Sequence, residues 1–143
     1  MPLAVLCSWT TMTKHATSFM ALLLVLESCL FGAFSALDLL SFYVLYECSL
    51  LPMFLLIGLG GSRPRKVRAA YLLVLYTLIG SLAMLPCMLL MWSQAGSTSF
   101  MLLVLQDWEP SRQLVLWWGL FLAFAVKVPM IPVHLWLPEA HVE

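Results

Sequence analysis

Three ionisable side chains interrupt long apolar stretches of this sequence, and their chemistry is that of proton binding and release. Glu27 and Glu47 each stand inside an apolar run, and Lys127 stands in the run FLAFAVKVPMIPVH. A charge at the centre of a bilayer costs about 2.5–3.5 kcal/mol on insertion scales, so such residues face the protein interior or a hydrated path. Glu47 and Lys127 are therefore either a proton site, whose lysine changes protonation when its carboxylate partner moves, or a static ion pair that locks helices together.

Two prolines follow Lys127 closely, at Pro129 and Pro132. Each removes a backbone donor and clashes with the preceding turn, which predicts a helix broken just after the lysine. Broken helices are tolerated in membranes where they are buried in protein or line a cavity, and they recur at transporter ion sites. An ordinary helix end at the same place is the alternative.

Two histidines lie beyond this predicted break. His134 titrates near neutral pH and could hand protons along a chain of water and side chains, or it could be an interfacial histidine. His141 lies past Pro138 and could simply be solvated.

The elements that must position these residues are membrane helices. The chain is 63% hydrophobic and 10% charged, far from the usual balance of a soluble domain. A spanning helix needs about 20 mostly apolar residues, and four stretches meet that length: residues 16–37, 39–62, 69–92 and 113–133. The sequence predicts an all-α polytopic membrane protein with one membrane domain over residues 1–143, its fourth helix broken at Pro129 and Pro132.

The connectors predict how these helices are arranged. Asp38 follows a very short turn and can cap the second helix, because its carboxylate accepts from free amides of the first turn. The next loop contains Arg63, Arg65, Lys66 and Arg68, and such positive loops stay on the cytoplasmic or matrix side. The N-terminus is predicted on that same side.

Composition and motifs argue against several other classes. The formal net charge is zero, so the chain has no bulk field to attract nucleic acid. The four cysteines include no CxxC pair, and neither a zinc site nor a disulfide framework is predicted. No nucleophile and base set indicates a self-contained enzyme.

The segment KVPMIPVHLWLPEAH, residues 127–141, resembles the signature K-x-P-x-x-P-x-H-x-W-L-P-x-A-H of the antiporter-like subunits of respiratory complex I. The segments LDLLSFYVLYECSLLPMFLLIG and GSRPRKVRAAYLLVLYTLIGS resemble a mitochondrial member of that family, and matching elements run over residues 34–143. This resemblance implies a fourteen-helix fold of which the chain covers the fourth to seventh helices. It places Glu47 on the family's essential glutamate, Lys127 on its lysine, and His134 on a histidine beside the break. Glu27 and His141 receive no firm role and stay possible members of the hydrophilic axis.

The resemblance also implies a function and a setting. The family moves protons across the membrane, driven by quinone reduction elsewhere in the complex. It implies no cofactor on this chain, with NADH, FMN, iron–sulfur clusters and ubiquinone bound elsewhere in the assembly. The expected partners are lipid, other membrane-arm subunits and separate polypeptides that supply helices 1–3 and 8–14. The expected location is the mitochondrial inner membrane, with the N-terminus and the loop at residues 63–68 in the matrix.

Two other functions stay open beside this one. The chain could be a structural scaffold in which Glu47 and Lys127 form a static pair. It could also be part of a related cation/proton antiporter or membrane hydrogenase, although the segment around Glu47 argues against that.

Overall fold

The computed structural model describes residues 2–11, 15–61 and 64–142, and these residues form an all-helical structure. The only strand-like pairing among them is one antiparallel bridge between Asp38 and Ser99. The helices are α1 (Pro2–Thr11), α2 (Ala16–Ser35), α3 (Leu39–Cys48), α4 (Leu50–Gly60), α5 (Lys66–Leu82), α6 (Met84–Ala95), α7 (Phe100–Leu105), α8 (Pro110–Lys127) and α9 (Trp136–Val142). The α1 helix was not predicted from the sequence.

Two of the long helices are interrupted three residues before a proline. The α3 and α4 helices meet at Ser49, ahead of Pro52, and α5 and α6 meet at Ala83, ahead of Pro86. Proline has no amide hydrogen, so the carbonyl four residues before it has no helical partner, and the ring pushes that turn open. Both interruptions are bends, because the helix resumes at the next residue.

Within the described residues, three helical stretches are long and apolar enough to cross a membrane by length and composition: Ala16–Ser35, Leu39–Gly60 and Lys66–Ala95. The fourth stretch differs from the prediction of residues 113–133. The α8 helix begins earlier, at Pro110, and ends at Lys127, because Pro129 cannot continue the hydrogen-bond ladder. A turn segment at residues 128–135 then leads into α9.

The α5 helix lies at the centre of the structure, against α4, α8 and α9. Small residues permit this close packing: a Cβ atom on Gly80 would lie 2.6 Å from the Val126 Cβ, and one on Gly119 would collide with the Cys87 sulfur. Backbones that approach over glycine are a common means of helix association in membranes. The α2 helix is peripheral: half of its residues are exposed, and Ala33 is its one buried residue.

The start of α3 is clamped to the loop that precedes α7. Asp38 caps α3 by accepting from the Ser41 amide at 3.2 Å, which confirms the predicted cap, and its other oxygen accepts from the Thr98 hydroxyl. The Leu39 amide donates to the Thr98 carbonyl at 2.9 Å, and the Phe100 amide donates to the Leu37 carbonyl at 3.1 Å. This clamp fixes the helix that carries Glu47.

Candidate functional site

The bend between α3 and α4 leaves a main-chain acceptor inside the bundle. The Tyr46 carbonyl accepts from the hydroxyl of the buried Ser49 at 2.7 Å. It also accepts from the Lys127 ammonium of α8 at 3.0 Å. The Lys127 side chain of α8 is therefore bonded to the main chain of α3 three residues before the interruption at Ser49.

Lys127 is partly buried at the C-terminal residue of α8. Its ammonium lies 3.2 Å from the centroid of the Tyr46 ring, in addition to the bond with the Tyr46 carbonyl. The C-terminal end of a helix carries a partial negative charge, which favours a cation there. Three features thus stabilise the ammonium in place: a carbonyl, an aromatic face and a helix end.

Glu47 is the penultimate residue of α3 and is also partly buried. It interacts electrostatically with Lys127, yet the two side chains form no ion pair within 4 Å, and its Oε1 atom is buried without a hydrogen-bond partner among the described residues. The carboxylate instead lines an apolar groove of about 480 Å³ between α4 and α5, which Phe54 and Tyr71 also line. A buried carboxylate oxygen without a donor is costly unless it binds a proton or water.

The break after Lys127 displaces the hydrogen-bond ladder by one residue. Pro129 has no amide for the Ala125 carbonyl, and the Met130 amide donates to that carbonyl at 2.9 Å instead. The Val126 carbonyl is thereby left for another donor, and it accepts from the indole of the buried Trp136 at 2.9 Å. An aromatic side chain from α9 therefore caps the turn that carries Lys127.

His134 lies in the turn segment between α8 and α9 and is partly buried. Its Nδ1 atom is buried without a hydrogen-bond partner among the described residues, while its carbonyl accepts from the Leu137 amide at 3.0 Å. A neutral imidazole has one donor and one acceptor nitrogen, so an unpartnered ring nitrogen leaves capacity for a proton or a water.

The other predicted residues lie apart from this centre. Glu27 is partly buried near the middle of α2 and makes no ion pair or hydrogen bond with any described residue. His141 belongs to α9, and its side chain lies outside the described part of the chain. Pro129 and Pro132 both fall in the turn segment, Pro132 exposed and Pro129 partly buried. The described residues include no cluster of three or more His, Cys, Asp or Glu side chains that could hold a metal ion.

Three participants were missed in the sequence: Tyr46, Ser49 and Trp136. A signal existed for two of them, because Pro52 predicts a bend whose free carbonyls lie a turn upstream, close to Tyr46 and Ser49. Nothing in the sequence indicated that the Trp136 indole reaches the Val126 carbonyl.

Known proteins similar to this chain come from one family. Residues 36–143 match the model of a family described as NADH:quinone oxidoreductase/Mrp antiporter, transmembrane. The NADH-ubiquinone oxidoreductase chain 4 of Prototheca wickerhamii is 49% identical over 99% of this chain and 27% of its own length. The protein of the same name from Arabidopsis thaliana is 47% identical over 99% of this chain and 29% of its own length. The chain thus spans well under a third of these relatives.

A solved structure shows the same fold. A chain of the respiratory complex I from Thermus thermophilus with bound NADH superposes with a TM-score of 0.81 and 38% sequence identity. The match covers 86% of this chain and 27% of that one.

Proposed function

The chain belongs to the NADH:quinone oxidoreductase/Mrp antiporter transmembrane family, and on that basis we propose that it is a proton-translocating part of a membrane-arm subunit of respiratory complex I. In this proposal, NADH:ubiquinone electron transfer drives proton pumping through the membrane arm. The chain itself carries no redox chemistry, and NADH, FMN, iron–sulfur clusters and ubiquinone act on other subunits.

One observation carries the proposal. Lys127 ends a broken helix and its ammonium donates to Tyr46, the residue before Glu47, while the Glu47 carboxylate has an oxygen with no donor among the described residues. An ionisable pair inside a membrane bundle that is close but not locked together is free to exchange protons. A static pair would be expected to close into a direct contact with full hydrogen bonding.

The chemistry follows from Coulomb attraction. The ionised Glu47 carboxylate favours the protonated form of Lys127. When Glu47 takes up a proton, that attraction disappears, and Lys127 can release one proton toward the segment that holds His134. The ring nitrogen of His134, unpartnered in the described residues, is suited to accept it next. One proton is thus taken up at the carboxylate for each one released at the amine.

The proposal includes a location and partners. The location is the mitochondrial inner membrane, with the N-terminus and the positively charged segment at residues 63–68 on the matrix side, because positive segments between spans stay on that side. The partners are other subunits of complex I and lipid.

The test is proton pumping by the native membrane assembly with Lys127→Ala in this chain. We expect the variant to assemble and to lose quinone-dependent, NADH-driven pumping by roughly tenfold or more, since an acid–base group contributes about 10²–10⁴-fold. Arg65→Ala is the matched control, because it removes one positive charge at the exposed start of α5.

Two results would count against the proposal. If assembled Lys127→Ala pumps normally, Lys127 is structural and the scaffold function is favoured. If the chain purifies with no complex I subunits and pumps cations without NADH, the related antiporter function replaces it.

A further inference from the structure

We propose that Tyr46 is a positioning residue whose aromatic ring holds the Lys127 ammonium away from Glu47. This inference rests on the proposed function and deepens it, because it names the group that decides which partner Lys127 faces. Neither the sequence pattern nor the comparisons assigned a role to Tyr46.

The Lys127 ammonium contacts Tyr46 but does not contact Glu47. Lys127 lies 3.2 Å from the centroid of the Tyr46 ring and 3.0 Å from the Tyr46 carbonyl, whereas it makes no ion pair with Glu47, the next residue of the same helix. An aromatic face attracts a cation more strongly when both are desolvated. Tyr46 thus competes with Glu47 for the same ammonium.

The ring is held firmly in its place. Phe42, one turn earlier on α3, stacks on Tyr46 with ring centroids 5.5 Å apart. Phe124, three residues before Lys127 on α8, meets the Tyr46 ring edge-on at 6.0 Å. The aromatic contact and the cation contact therefore join the same two helices. A ring fixed from both sides presents its face to Lys127 without a further entropic cost.

The face of the ring, and not the phenol hydroxyl, makes the contact. The Tyr46 hydroxyl is buried without a hydrogen-bond partner among the described residues. Phenylalanine at this position would keep the aromatic face and remove only that hydroxyl. The main-chain carbonyl persists in every variant, so substitution isolates the contribution of the ring.

The Lys127 side chain therefore has two positions available to it. In one position the ammonium lies on Tyr46, and in the other it swings to the Glu47 carboxylate. Removal of the ring shifts the balance between these positions by roughly 2- to 30-fold, the range expected for a partly desolvated cation–π contact. A proton cycle that requires both positions slows when one of them loses its support.

The test compares three variants of Tyr46 in the native membrane assembly: Tyr46→Phe, Tyr46→Trp and Tyr46→Leu. The measurements are the amount of assembled complex and the rate of NADH-driven proton pumping per assembled complex. We expect Tyr46→Leu to assemble and to lose pumping by roughly 2- to 30-fold. Tyr46→Phe and Tyr46→Trp should stay within about twofold of the unmodified chain, because both restore an aromatic face.

Phe121→Leu is the matched control, because it removes an aromatic ring of α8 that packs on Trp117 and Trp118 and makes no ring contact with Tyr46. It should pump better than Tyr46→Leu at equal assembly. Equal loss in both variants would overturn the proposal, since packing alone would then explain it. Normal pumping by Tyr46→Leu would also overturn it, and so would a Tyr46→Phe defect as large as that of Tyr46→Leu. Failure of the proposed function gives a different result, namely normal pumping by Lys127→Ala.

Discussion

The two proline-interrupted helices that meet at the site differ in what the chain does after the interruption. Near Glu47 the helix resumes at once, so that α3 and α4 together form one continuous candidate span, Leu39–Gly60. After Lys127 the helix stops for eight residues, at 128–135, before α9 begins. A single proline, Pro52, follows the first interruption, while two prolines three residues apart follow the second.

The two interruptions leave different groups at the site. Near the bend, the Tyr46 carbonyl accepts from a lysine of another helix. A break creates a helix end, whose partial negative charge favours the cation that terminates it. Glu47 therefore lies next to the residue whose carbonyl is the acceptor, Tyr46, and Lys127 lies at the C-terminal end of α8.

The largest effect is expected when the break is converted into a helix by the double substitution Pro129→Ala and Pro132→Ala. The Met130 amide could then return to the Val126 carbonyl and displace the Trp136 indole, so Lys127 would move. We expect proton pumping to fall by roughly tenfold or more, because small displacements of reacting groups cost rate steeply.

Pumping per NADH oxidised in the assembled complex measures this effect, with Pro138→Ala as the control because Pro138 is exposed in α9. Unchanged pumping in the double variant would mean that the break does not position Lys127.

A smaller effect is expected from adding a methyl group to the contact between α5 and the last turn of α8. A Cβ on Gly80 would lie 2.6 Å from the Val126 Cβ, so Gly80→Ala should destabilise the α5–α8 contact by about 1–3 kcal/mol. Thermal denaturation of the assembled complex measures the loss. Gly58→Ala is the matched control, because a Cβ there meets nothing within 4 Å. Equal melting temperatures for both variants would show that α8 shifts to accommodate the added methyl group without a loss of stability.

Removing the bend at Ser49 should reduce proton pumping less than converting the break after Lys127 into a continuous helix. Pro52→Ala restores an amide for the Cys48 carbonyl, and the Tyr46 carbonyl then becomes less accessible to Lys127. The aromatic contact persists, so we expect a loss of only roughly twofold to tenfold in pumping. Pro86→Ala is the control, since its bend at Ala83 lies beside no charge. A loss as large with Pro86→Ala would indicate a general packing defect.

The smallest effect is expected from replacing Asp38, which joins the start of α3 to the loop before α7. The pKa of Asp38 is held below its ordinary value of 3.8, chiefly by the Thr98 hydroxyl and further by Ser41. A depressed pKa contributes stability that is fully present above the unfolded value and is lost as pH falls through the folded value.

Asp38→Ala should therefore lower the melting temperature of the complex slightly and by the same amount from about pH 5 to about pH 8. Asp38→Asn should recover part of the loss, because asparagine also caps helices well. If the decrease in melting temperature changed between about pH 5 and about pH 8, it would contradict a lowered pKa of Asp38.

Local signals in the sequence were enough for much of the fold. Asp38 was predicted as a cap, and the apolar runs around Glu27 and Glu47 were predicted as helices, because capping and hydropathy depend on neighbouring residues. The prediction of a break at Pro129 and Pro132 rested on equally local backbone chemistry.

The candidate site itself depends on contacts between distant residues. Lys127 reaches Tyr46 only because α8 packs across the bend of α3, and 81 positions separate the two residues. The sequence offered Glu47 as the natural partner for Lys127, since charge suggests pairing, while an aromatic face and a carbonyl give no such pattern. The roles of Glu47, Lys127 and His134 in proton transfer remain predictions.

The indole of Trp136 that caps the Val126 carbonyl has a consequence for how the membrane protein is made. An unbonded carbonyl in hydrocarbon costs several kcal/mol, on the order of the charge penalty itself. The half-helix that ends in Lys127 lacks this donor until Trp136, nine residues later, has been synthesised. Its stable placement in the membrane therefore depends on α9, and we expect the lysine-bearing turn and its cap to become stable together.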